Sequence, residues 1–110
     1  MLLYSPEADA LRAVLRDVLG WDYVEDTPGW LIFKLPPAEV GVHPSETSTR
    51  HELCLMCDDL EATMGELCGK GIKFRGAPKD EGFGFTTTML LPGGVELLLY
   101  QPKHASPLQL

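Results

Sequence analysis

Hydrophobic and polar positions follow two different periods along the chain, and the same succession of periods occurs twice. Residues 1–43 begin with a short apolar run, continue with apolar residues three and four positions apart, and end in three short runs typical of strands. Residues 51–100 repeat that order with different residue types, so the repeat is one of pattern. It predicts two modules, in residues 1–43 and 51–102, with a linker at 44–50 and a tail at 103–110.

The two predicted helices each carry one apolar stripe, which indicates that each covers one face of a sheet. Ser5 is the expected N-cap of the first helix, and Gly20 can end it in a left-handed conformation. For the second helix, Asp58 with Glu61 resembles a capping box, and Gly71 ends it. The first stripe is Leu11, Val14, Leu15, Val18 and Leu19, and the second is Leu60, Met64, Leu67 and Cys68.

Aromatic, β-branched and aliphatic residues between turn signals predict the strands. Residues 76–84 contain three glycines and a charged tip, and we expect a mobile loop there. Together with the two helices, the strands predict an α+β protein. The predicted strands are residues 2–4, 21–25, 30–35 and 39–43 in the first half and 51–56, 72–75, 85–91 and 95–100 in the second.

Composition narrows the range of functions. The chain has 110 residues, 45% of them hydrophobic, which is enough for one domain or two small fused modules. A net charge of −7 argues against nucleic-acid binding, because phosphate contacts require clustered Lys and Arg. No apolar run approaches the ~20 residues of a membrane span, and we expect no signal peptide. The three cysteines cannot all pair, so we expect reduced thiols in a cytoplasmic protein.

Three segments carry a family resemblance. Residues 11–20 look like a first helix with an Arg-Asp-Val-Leu-Gly ending, residues 51–60 like the start of a second module, and residues 91–102 like its closing hairpin. These segments resemble the vicinal oxygen chelate superfamily, which includes glyoxalase I, extradiol dioxygenases, fosfomycin-resistance enzymes and bleomycin-resistance proteins. The resemblance implies two βαβββ modules whose curved mixed sheets form a shared cleft, which often holds a divalent metal.

The resemblance also implies metal-ligand positions, and the sequence fills few of them. His51 matches the histidine that opens the second module. The glutamate of the final strand is replaced by Leu98, while Glu96 lies two residues earlier and on the same side of a regular strand. Only four residues precede Ser5, so we expect the position of the first-strand ligand to be absent or to lie at the extreme end of the sequence. Since such sites need three or more ligands, His51 and Glu96 predict a degenerate site. We expect no bound metal, with Zn, Ni, Mn or Fe as the alternative.

The remaining site prediction is a ligand cavity between the two sheets, with His51 near its floor and the 76–84 loop near its mouth. Aromatic side chains on a concave face could stack on a flat or apolar ligand. Alternation places Trp30 on one face of its strand and Phe33 on the other. The candidate ligand-binding residues are His51, Trp30, Phe33, Phe85 and Tyr100. No motif identifies a catalytic residue.

Two functions follow from these observations. The first is a metal-free protein that binds a small organic ligand in a shaped cavity. The alternative is a metal-dependent glyoxalase-like lyase or extradiol dioxygenase-like enzyme, in which a metal polarises paired oxygens of the substrate. Each module has edge strands that natural proteins cover or pair, so we also predict a homodimer. The predicted partners are therefore a small molecule and a second copy of the chain.

Overall fold

The structure, a computed structural model, describes residues 2–35, 37–39, 41–42, 44–47 and 51–109. Seven strands and two main helices are assigned within these residues, and two short 3-10 turns lie at Pro92–Gly94 and Pro107–Gln109. Helix α1 is Ala8–Ala13, continued by a π-helical segment at Val14–Val18, and helix α2 is Leu60–Gly69. The strands are β1 (Tyr23–Glu25), β2 (Leu31–Phe33), β3 (Cys54–Met56), β4 (Lys73–Phe74), β5 (Lys79–Asp80), β6 (Gly84–Leu91) and β7 (Val95–Pro102).

The second half of the chain forms a five-stranded mixed sheet. Its order is β3-β7-β6-β4, and β5 pairs with the same strand, β6, as β4 does. Strands β3 and β7 are parallel, and helix α2 connects β3 at one edge of the sheet to β4 at the other. The other pairs are antiparallel. The α+β class and the mixed sheet are therefore confirmed.

The two predicted helical stripes pack on one face of this sheet, except that Cys68, in the last turn of α2, is exposed and does not belong to the buried stripe. Leu11 and Leu60 retain 5% and 1% of their exposure and belong to one hydrophobic cluster with Met89, which is fully buried. Leu15 and Leu67 are also buried. Helices from both halves of the chain thus share one core, which leaves the opposite face of the sheet without a helical layer among the described residues.

The strand register separates the two faces of the sheet. Directly paired residues of an antiparallel ladder point to the same side. Met89 pairs with Leu97, and both are in the core, whereas Thr88 pairs with Leu98 on the other side. We call the helix-covered side the core face and the other side the open face. The open face carries Thr86, Thr88 and Leu90 of β6, Glu96, Leu98 and Tyr100 of β7, and Cys54 and Met56 of β3.

The first half contributes its helix and a two-stranded hairpin of β1 and β2. Tyr23 lies opposite Phe33, and their rings are 5.7 Å apart. On the other side of the hairpin, Val24 lies opposite Ile32, and these side chains are 64% and 50% exposed. The hairpin therefore presents an apolar pair to solvent.

Two complete βαβββ modules are not confirmed. The second half has the full order, but no strand is assigned in the described residues 2–22 or 34–47. The predicted strand at 39–43 includes Val40 and His43, which lie outside the described residues. The proposed domain boundaries stay a prediction.

Local details also differ from the sequence prediction. The cap of α2 is Asp59, whose carboxylate accepts a hydrogen bond from the Ala62 N–H, so the cap lies one residue after Asp58. Helix α1 begins after Glu7, while the Ser5 hydroxyl accepts from the Glu7 N–H and donates to the Pro92 carbonyl. The predicted 76–84 loop contains β5. No helix in the described part of the chain is long and apolar enough to cross a bilayer.

A tight contact joins the two halves. Gly93, at φ 80°, donates its N–H to the Glu7 carboxylate at 2.7 Å. A Cβ at this position would overlap the Ser5 hydroxyl, so only glycine fits the turn between β6 and β7. This contact fixes the start of α1 against the sheet.

Candidate functional site

A cavity of about 450 Å³ lies where the N-terminal segment meets the beginnings of β3 and β7. The N-terminal segment contributes Leu2 and Leu3, and the chain entering β3 contributes His51 and Glu52. The parallel pairing of β3 with β7 brings Glu96 to the same place, although it is far away in sequence. The complete lining is Leu2, Leu3, His51, Glu52, Leu53, Val95, Glu96 and Leu97.

The two candidate metal ligands, His51 and Glu96, therefore line one cavity. The Glu96 carboxylate, however, pairs with the Arg75 guanidinium across the open face. Within the described residues, no group of three His, Cys, Asp or Glu side chains is arranged to hold a metal ion. Leu98, at the position where the resemblance implies a glutamate, lies on the open face and offers no ligand atom. His51 and Glu96 by themselves offer ligand atoms from two residues, whereas a divalent metal needs at least three N or O ligands.

Sequence analysis did not identify Glu52. The register that pairs Cys54 with Leu98 places residue 52 beside residue 96, so two carboxylates border the cavity. Burial raises the pKa of the Cys54 thiol, and the charge of Glu52 raises it further. Cys54 is thus held as a neutral thiol. Alternation along residues 52–56 was the signal that could have identified Glu52 as an open-face residue.

The other end of the open face is aromatic. Phe83 contacts Tyr100 edge-on, with ring centroids 5.7 Å apart, and the His104 ring lies 6.2 Å from Tyr100. Burial raises the pKa of the Tyr100 phenol, and the nearby charge of Glu39 adds to the effect. Glu39 accepts a hydrogen bond from the Ser106 hydroxyl, so the first half and the C-terminal tail meet beside Tyr100.

The predicted ligand-binding residues are divided among three places. His51 lines the cavity, and Tyr100 lies on the open face. Phe85 pairs with Gln101 on the core face, with the Lys103 ammonium 4.5 Å from its ring centroid. Because alternate residues of a strand face opposite sides, Phe85 and Tyr100 cannot line the same face.

The other two aromatic candidates lie on or beside the hairpin. The guanidinium of Arg12 lies 5.0 Å from the Trp30 ring centroid. Phe33 contacts Trp21 as well as Tyr23. Neither candidate lines the 450 Å³ cavity. The 76–84 loop reaches the open face through Phe83, at the far end of β7 from His51, so it does not border that cavity either.

Comparison with known proteins relates this fold to a group of solved structures. No family model and no curated protein matches the sequence. The antibiotic binding protein TnmS3 from Streptomyces sp. CB03234 is similar with a TM-score of 0.68 and 23% identity, over 92% of this chain and 91% of that chain. A lactoylglutathione lyase from Agrobacterium tumefaciens has a TM-score of 0.64 and 18% identity, over 89% and 87% of the two chains. A glyoxalase/bleomycin resistance protein/dioxygenase from Nocardioides has a TM-score of 0.62 and 18% identity, over 94% and 82%.

These similarities establish the fold. The chain has the fold of the three solved structures just named, and at 18–23% identity the similarity concerns the fold alone. Because one fold can accommodate different activities, function must be argued from the site.

Proposed function

We propose that this protein binds a small organic ligand on the open face of its five-stranded sheet and in the adjoining cavity, and that it needs no metal to do so. The observation that carries the proposal is the asymmetry of the sheet. Both helices pack on the core face, while Leu98 and Tyr100 on the open face are only partly buried. A partly apolar concave surface with a few polar groups is the usual form of a ligand site.

Two of the similar structures support binding as the function. One is described as an antibiotic binding protein, and another, also from Streptomyces sp. CB03234, as a glyoxalase/bleomycin resistance protein. The second has a TM-score of 0.62 and 23% identity with this chain. Binding of this kind requires only shape and contact, which the open face provides without a metal ligand at position 98.

The alternative is a metal-dependent glyoxalase-like lyase or extradiol dioxygenase-like enzyme. It is favoured by the shared position of His51 and Glu96 in one cavity. It is opposed by the pairing of Glu96 with Arg75, because a ligand carboxylate would have to leave that cation. We therefore propose a degenerate metal site and assign no catalytic residue.

Metal content distinguishes these two functions directly. We expect the purified, untagged protein to hold well under one equivalent of metal after dialysis against zinc, nickel, manganese or iron, as measured by elemental analysis. The matched variant is His51→Ala, which removes the best candidate ligand. A nearly stoichiometric ion that is lost in this variant would overturn the metal-free function and favour the enzyme alternative.

Ligand binding can be tested with the uncharged dye N-phenyl-1-naphthylamine, whose fluorescence rises in apolar sites. We expect saturable binding by the wild-type protein and its loss in Leu98→Trp, because the larger side chain fills the open face. Glu61→Trp, on the exposed side of α2, is the matched control and should bind like wild type. Equal binding by all three proteins would refute the proposed site.

We further propose that the protein forms a homodimer. The exposed pair Val24 and Ile32 is one surface that a second copy could cover. Another is the outer side of edge strand β3, which pairs with no strand among the described residues. The ligand cavity could then be formed by one chain or between the two chains of the dimer. The proposed homodimer is compatible with both arrangements.

A further inference from the structure

The open face has a basic edge that the proposed function does not by itself explain. Lys73 pairs with Leu90, and Lys79 pairs with Thr86, so both lysines lie beside open-face residues of β6. The Arg75 N–H donates to the Thr88 carbonyl between them, and its guanidinium reaches Glu96 on the same face. Three of the nine basic residues of this acidic chain therefore line one edge of one face.

Little of this charge is neutralised among the described residues. Arg75 pairs with Glu96, and neither lysine forms an ion pair there. Asp80, the neighbour of Lys79, is directed to the core face and pairs with Lys103. The edge therefore keeps the positive charges of Lys73 and Lys79, in a protein whose net charge is −7.

Strand β3 forms the other edge of the sheet. Between the two edges lie Leu98 and the ring of Tyr100 on β7, one strand further from the lysines than β6. Since neighbouring strands are about 4.8 Å apart, the backbones of Lys73 and Lys79 lie roughly 10 Å from the backbone of β7 at Leu98 and Tyr100. The long lysine side chains can bring their ammonium groups closer than that.

From this arrangement we infer the class of ligand: a flat, largely apolar molecule that carries an anionic group such as a carboxylate or sulfonate. The inference rests on the proposed function of the open face. The apolar body lies across Leu98 and Tyr100, and the anionic group is directed towards Lys73 and Lys79.

Two dyes with one skeleton separate this inference from the proposed function. The probe is 8-anilinonaphthalene-1-sulfonate, and N-phenyl-1-naphthylamine is its counterpart without the sulfonate. The test variant is the double substitution Lys73→Gln/Lys79→Gln. The control is Lys34→Gln/Lys70→Gln, which changes the net charge equally at exposed positions outside the strands of the five-stranded sheet.

We expect the test variant to weaken binding of the sulfonate dye by roughly fivefold for each lysine, the effect of one charge at close range in water. Binding of the uncharged dye should change less than about twofold, and the control should leave both dyes unchanged. Added salt should reduce the wild-type affinity for the sulfonate dye alone, because screening weakens exposed charges.

Two results would overturn the inference in distinguishable ways. If the uncharged dye binds and Leu98→Trp abolishes its binding, but the lysine variants do not affect the sulfonate dye, the anionic class is wrong and the proposed binding face remains. If neither dye binds, or Leu98→Trp has no effect on either, the binding face itself is wrong and the inference fails with it.

Discussion

Leu97 and Leu98 are consecutive residues of β7 that the structure assigns to opposite faces, so they offer a direct test of the architecture. Leu97 is 3% exposed in the core, whereas Leu98 is partly exposed on the open face. Replacing a leucine with alanine removes three carbons, which is about 2.4 kcal/mol at about 0.8 kcal/mol for each fully buried carbon. Leu97→Ala and Leu98→Ala should differ in how much of this free energy is lost and in whether the truncation leaves an enclosed cavity.

At Leu97 the variant loses the full transfer free energy of the three carbons, and the enclosed cavity that remains adds to the loss. We therefore expect Leu97→Ala to lower the free energy of unfolding by about 3–4 kcal/mol, within the range known for buried Leu→Ala changes. At Leu98 part of the side chain already contacts water, and truncation only widens an open surface. Leu98→Ala should cost about 1–2 kcal/mol.

Urea denaturation followed by far-UV circular dichroism measures both values. All proteins should be compared at one concentration, because assembly shifts apparent stability. Leu97→Met keeps most of the volume and should cost less than about 1.5 kcal/mol. Equal losses for the two alanine variants, or a larger loss for Leu98→Ala, would refute the assignment of the faces.

Three further predictions concern assembly and ionisation. Light scattering at tens of micromolar should give twice the mass of one chain, and the mass of a single chain would contradict the homodimer. Hydrogen bonds from Lys103 and from the Gly82 N–H lower the pKa of Asp80. The Asp80–Lys103 ion pair should therefore persist at neutral pH and be lost as the pH falls below the ordinary aspartate value of about 3.9. An NMR titration of the Asp80 carboxyl with a midpoint at or above that value would contradict this prediction. Burial raises the pKa of Tyr100, so the phenolate absorbance that Tyr100→Phe removes should appear above pH ~10, and its appearance below that pH would disprove the burial.

Local chemistry explains why the helices could be predicted from the sequence. A helix repeats every 3.6 residues, so an apolar stripe such as Leu11 with Leu15, or Leu60 with Leu67, identifies both the element and its buried side. The structure buries all four of these side chains. The cap of α2 was misplaced by one residue because Asp58 and Asp59 are chemically identical, and only the direction of the entering chain selects between them.

Which residues form the candidate site could be decided only from the tertiary structure. His51 and Glu96 were identified from the sequence, but their meeting in one cavity depends on the parallel pairing of β3 with β7. The ion pair between Glu96 and Arg75 depends on β4 lying beside β6. Neither pairing leaves a local signal, because hydrogen bonds between strands join residues that are far apart in sequence.

The same limit applies to the aromatic residues. Composition and alternation identified Phe85 and Tyr100 as strand residues, and alternation also separated Trp30 from Phe33. Which face carries the helices was decided only by packing, and that choice places Phe85 in the core and Tyr100 on the open face. The sequence by itself determined the elements and their two-sided character, since these follow from local geometry. The tertiary structure decided which side remains available for a ligand, because that depends on where distant helices bury their apolar stripes.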